Sequence, residues 1–134
     1  MSILGKTKGK PISRIQFDVL LKRFIVFLKG QLNMTYDIPV ILIDDAEFSK
    51  KMRAFGSIVN QSVIYVSIIN RHPVDILRTV AHEYVHFKQY LQKMPMIDGS
   101  AGSAAENQAN AKAGELMRKY GKLHPELFDF MSVR

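Results

Sequence analysis

The stretch Pro73-Val74-Asp75-Ile76-Leu77-Arg78-Thr79-Val80-Ala81-His82-Glu83-Tyr84-Val85-His86-Phe87-Lys88-Gln89-Tyr90-Leu91-Gln92-Lys93 reads as one long helix, and the rest of the chain is arranged around it. Pro73 supplies the fixed φ of a first helical position, and Pro95 lies just past the far end. Ile76, Leu77, Val80, Tyr84, Phe87 and Leu91 recur at helical spacing and make a core face. Asp75, Thr79, His82, Glu83, His86 and Tyr90 share the other side. Residues four apart on a helix differ by about 40° in direction and one turn in height. The imidazoles of His82 and His86 therefore project side by side, with Glu83 about 100° round from His82 at the edge of the same face.

Two imidazoles so placed suit one metal ion, and Glu83 then stands where it can reach a water held there without being a ligand. The same three residues also occur in ordinary solvated helices, so the surroundings decide. Here a strand precedes the helix and a second helix bearing a suitable acid follows. The chain has no cysteine, which excludes disulfides and every thiolate site. Zinc held by two histidines needs a third protein ligand and an open fourth position to be catalytic. Glu106, Glu115, Asp98 and His124 lie downstream within reach, and Glu106 is preferred because small alanines around it let its helix approach closely. Ser103-x-x-Glu106 also reads as a capping box, in which the glutamate only satisfies a helix start. Asn110, one turn beyond, either orients a histidine through its free ring nitrogen or is an ordinary exposed asparagine.

His82-Glu83-x-x-His86, followed by Glu106 and then Asn110, resembles the gluzincin pattern of thermolysin-type peptidases. The Glu106-x-x-Ala109-Asn110 wording and the small size are similar to ImmA/IrrE-like and other minimal single-domain zincins. The likeness spans roughly residues 62–120 and is specific for the metal site rather than for a substrate. It implies one zinc ion per chain on His82, His86 and Glu106, with Glu83 as general base in the hydrolysis of peptide bonds. Asn110 departs from the aspartate that steadies a histidine in thermolysin-type enzymes. The resemblance also implies an edge strand above the metal helix onto which a protein or peptide substrate adds, and residues 62–69 are the matching segment. Tyr120, His124 and Tyr90 are the candidates for an oxyanion donor, and nothing in the sequence ranks them.

The pattern of the whole chain is α+β and zincin-like, with a small, mostly antiparallel sheet on the metal helix and the glutamate-bearing helix. Ser13 caps a first helix to about Lys29, with Gly30 as its stop and Ile15, Val19, Phe24, Val26 and Phe27 as its apolar surface. Pro39-Val40-Ile41-Leu42-Ile43 reads as a buried strand ended by Asp44 and Asp45. Residues 52–59 and 62–69 form a hairpin turning at Asn60-Gln61, with Gly56 as a bulge. A loop at 97–102, a helix from Ser103 to Tyr120 stopped by Gly121, and a short helix over 125–131 complete the expected order. His72 is a helix-start residue. Residues 1–11 read as a flexible basic tail and 12–134 as one domain.

The length of 134 residues suits a single core. No apolar run reaches the roughly 20 residues of a membrane span, and no signal-peptide core is present. With the lack of cysteine, this suits a cytoplasmic protein. The net charge of +7 is spread over scattered lysines and arginines, so nucleic acid is possible as a partner but not favoured. A zinc peptidase is the first reading. The alternative is a catalytically silent or latent zinc-stabilised binding or regulatory module, with or without nucleic acid as its partner; an intact Glu83 argues against it, because a purely structural site needs no base.

Overall fold

The computed structural model describes residues 9–52, 56–59, 62–92 and 104–133. The chain runs β1 (Lys10–Ile12), α1 (Arg14–Leu32), β2 (Val40–Ile43), α2 (Ala46–Met52), β3 (Gly56–Val59), β4 (Val63–Ser67), α3 (Pro73–Leu91), α4 (Ala104–Leu123), a 3-10 turn (Pro125–Asp129) and β5 (Phe130–Val133). The α+β class expected from the sequence is the class observed. None of the helices described is long and apolar enough to cross a membrane.

Helix α1 starts at a reciprocal cap. The Ser13 hydroxyl accepts from the Gln16 amide at 3.1 Å, and the Gln16 side chain accepts from the Ser13 amide at 3.1 Å. It runs past Gly30 and ends instead at Asn33, whose φ of 53° and ψ of 47° put it in the left-handed region. Asparagine tolerates that region, and the turn lets the Met34 amide reach Lys29 O at 2.9 Å. Phe17, Leu21, Phe24, Leu28 and Leu32 are the buried face, whereas Ile15, Val19 and Val26 face outward. Successive gaps of three and four residues place the first set on one stripe, and the expected surface had mixed two stripes. Each large side chain so buried contributes about 1.5–3 kcal/mol.

The expectation of a mostly antiparallel sheet is corrected. The larger sheet has the order β2-β4-β3, with β2 parallel to β4 and β3 antiparallel to it. A second, two-stranded sheet pairs β1 with β5, also parallel. The reason is the segment after β2. Asp45 does not merely end a strand but caps α2, its carboxylate accepting from the amides of Glu47 at 2.9 Å and Phe48 at 3.2 Å. That added helix turns the chain round, so β3 returns antiparallel and β4 leaves parallel to β2. The hairpin arms pair from Gly56↔Val66 to Val59↔Val63 in regular register, and among the described residues no bulge marks Gly56. The expected turn at Asn60-Gln61 and the start of the first arm at 53–55 lie outside the described residues, as do residues 1–8, Ser103 and the 97–102 loop.

Strand β4 contributes Ile64 and Val66 to the core, and β2 is only half-buried. Bonded on both edges, β4 cannot be the free edge expected of residues 62–69. Among the described residues, β2 and β3 are the edge strands of this sheet, and β3 is the one that passes against Thr79 and Glu83 of α3 at Gly56. The tail assigned to residues 1–11 is cut short by β1, where Lys10 pairs with Phe130. At the other end, α4 continues through Gly121 to Leu123, and the expected final helix is a 3-10 turn followed by a strand.

Helix α3 lies at the centre, packed by α1, α4, β3 and β4. His72 caps it, its Nδ1 accepting from the Val74 amide at 3.0 Å. Ile76, Leu77, Val80, Tyr84 and Phe87 are buried as expected; Leu91 is exposed. Ala105, Ala109 and Ala113 recur every four residues on α4 and are all buried. Their small side chains let α4 come close enough for an acid in its first turn to reach the histidines.

Candidate metal centre

His82 and His86 stand one turn apart on α3, their ring centroids 4.6 Å apart and nearly perpendicular. Glu106, in the first turn of α4, spans both. Its Oε1 is 2.9 Å from His82 Nε2 and its Oε2 is 2.8 Å from His86 Nε2. The carboxylate thus faces both histidines; Ser103, the other half of the expected capping box, lies outside the described residues. One donor atom from each residue lies within 4.8 Å of the others, a cluster able to hold a metal ion.

The hydrogen bonding around His86 tests the fit. Gln89 donates its Nε2 to Ala105 O at 2.9 Å and to Gln108 Oε1 at 2.7 Å. Its Oε1 therefore faces His86 Nδ1, 2.8 Å away, and accepts from it. A neutral His86 held this way presents a lone pair at Nε2, the form a metal needs. That lone pair points at a carboxylate oxygen 2.8 Å away. Two acceptors at this distance repel unless a proton or a cation is shared between them. Imidazole nitrogens plus one carboxylate oxygen, with no thiolate, match the donor set of catalytic zinc.

His82 meets carboxylates on both sides. Its Nδ1 is 3.3 Å from Glu83 Oε1, opposite the Glu106 contact. The hydrogen bond with Glu83 raises its pKa above the ordinary value; burial opposes this, and the charges of Glu83 and Glu106 add to it. Glu83 itself is 6% exposed and borders a cleft of about 420 Å³. Gly56, Arg71, Thr79, His82 and Asn110 are among the other residues that line it.

Arg71 frames this cleft. It donates to Ser67 O at 2.7 Å, to the Asp75 carboxylate at 3.1 Å and to Thr79 Oγ1, tying the end of β4 to the first turns of α3. Burial lowers its pKa, and the Asp75 carboxylate works against that. At Gly56 the β3 backbone comes so near α3 that an added Cβ would lie 2.6 Å from Thr79 Cγ2 and 3.3 Å from Glu83 Cγ.

The remaining candidates fall elsewhere. Asn110 is exposed on the cleft wall, and the ring nitrogens it could have steadied meet other residues, Gln89 at His86 and Glu83 at His82. Tyr120 is buried, with its ring 4.8 Å from Phe24 and 4.5 Å from His124. His124 also meets Glu126 at 3.4 Å. Tyr90 is half-exposed and stacks on Phe87. None of these three lines the cleft that holds His82 and Glu83. Gln89 is a site residue that the sequence pattern does not single out, although its signal is local: three residues after His86, it shares that histidine's side of the helix. Comparison of the chain with protein-family models, with characterised proteins and with solved structures gave no match.

Proposed function

We propose that the protein is a zinc-dependent peptidase, with His82, His86 and Glu106 as ligands and Glu83 as general base. The observation that carries this reading is the convergence of both histidine Nε2 atoms on one carboxylate, beside a second, buried carboxylate at an open cleft. A purely structural site has no use for that second acid, whose burial has a desolvation cost.

Zinc, when bound, supplies a Lewis acid that brings water towards deprotonation near neutral pH and polarises a carbonyl oxygen. The chain supplies the rest. Gln89 fixes the His86 ring and its tautomer. Glu83 accepts the proton of the attacking water and returns it to the departing amine. The peptide lies along β3, the strand that passes over Thr79 and Glu83 at Gly56, and its main chain bonds to the outer edge of that strand. Main-chain pairing tolerates varied sequences, so side-chain preference must come from the cleft walls.

The test is cleavage of a diverse peptide mixture, read by mass spectrometry, for zinc-loaded protein beside Glu83→Gln. Cuts by the wild type, reduced about 10²–10⁴-fold or more in the variant while one zinc stays bound, are expected. Zinc bound with no cuts by either protein would replace the peptidase with a zinc-stabilised binding module.

A further inference from the structure

We infer that Arg78 is a specificity residue that receives a carboxylate of the substrate. The inference rests on the peptidase reading above and goes beyond it by naming the substrate class. Arg78 lies one turn before His82 on α3 and lines the same cleft as His82 and Glu83. Its side chain is exposed, and among the described residues it has no ion-pair or hydrogen-bond partner.

The nearby acids explain why it stays free. Asp75, three residues earlier, is held by Arg71 through its carboxylate at 3.0 Å and through its carbonyl oxygen at 3.1 Å. Glu83 sits against His82, and Glu106 is spent on both histidines. The other guanidinium in the cleft, Arg71, is buried and committed to Ser67, Asp75 and Thr79. Among the described residues, Arg78 is therefore the cleft guanidinium with its planar fork open to a ligand, and a carboxylate matches that fork with two parallel hydrogen bonds. Its place one turn along the metal helix sets the recognised group close to the scissile bond.

The matching carboxylate is either an acidic side chain or a free C-terminus, and paired peptides separate the two. One set carries Asp or Glu near the cleaved bond with an amidated end; a second is neutral with a free end; a third is neutral and amidated. For the zinc-loaded wild type, one of the first two sets should exceed the third by about 10–100-fold in kcat/KM, the range for a hydrogen-bonded charge pair. In Arg78→Gln that ratio should fall to about one, and Arg78→Lys should restore part of it. Binding of the same peptides to zinc-loaded Glu83→Gln, followed by fluorescence anisotropy, gives a second readout. Carboxylate-selective binding that Arg78→Gln abolishes, without cleavage by the wild type, would keep the role of Arg78 and remove the peptidase. Equal handling of all three sets, or a selectivity that survives Arg78→Gln, would overturn the inference.

Discussion

Replacing Gly56 with alanine should force β3 off the metal helix. The glycine has no unusual φ, so the effect is purely one of space: the new methyl would stand 2.6 Å from Thr79 Cγ2. Thr79 cannot swing aside freely, because its hydroxyl accepts from Arg71 and donates to Asp75 O at 3.2 Å. Either those bonds break or the strand moves. Overpacking of this kind costs about 1–3 kcal/mol, which for a chain of this size lowers Tm by about 3–12 °C. The rescue is specific. Thr79→Ser removes the obstructing methyl and keeps the hydroxyl, so the double variant should recover most of what Gly56→Ala loses. Urea unfolding of the four proteins, all in chelator so that metal does not shift the midpoints, gives the coupling energy. A coupling below about 0.5 kcal/mol, or an undiminished midpoint in Gly56→Ala, would refute the steric account of how β3 is seated.

Gln89→Leu should weaken zinc binding by about 10–100-fold, because His86 loses the acceptor that fixes its ring; an unchanged affinity in a competition titration would show that the ring is held by other means. The pH response has opposite signs with and without metal. Since the fold raises the pKa of His82, the metal-free protein carries that residue's full contribution below the ordinary value of 6.5 and loses it as pH rises through the higher folded value. Urea midpoints in chelator should therefore fall over that window, and the fall should shrink in His82→Gln. Zinc affinity should rise over the same window as the proton leaves the ligand, and a pH-independent affinity would contradict it.

What could be read from the sequence was what is local. His82, Glu83 and His86 follow from one helical period, and Glu106 follows from the need for a third ligand near alanines that let two helices meet. Gln89, three residues after His86, is equally local, but as an amide at helical spacing it carries no mark that sets it apart from Asn110, four after Glu106. The sheet was another matter. A run such as Val40–Ile43 shows that a strand forms but not which strand it joins, and its parallel pairing with β4 depends on α2, whose only clear mark is the Asp45 cap. The edges fall to β2 and β3 instead of β4 for the same reason. Ile15, Val19 and Val26 were misplaced because α1 has apolar residues on more than one stripe, and only packing against α3 selects the buried one.

The Glu106 bridge has a mechanical side as well. A cation shared by His86 and Glu106 would clip together points twenty residues apart in a chain that has no cysteine to do so covalently. A cross-link closing a loop of that length removes about 3 kcal/mol of freedom from the unfolded chain. The metal would then act as a reversible staple between α3 and the start of α4, where Gln89 already holds Ala105 and Gln108. Loading it should slow hydrogen exchange most at the first turns of α4, so that the element completing the centre is also the one whose order reports that it is filled.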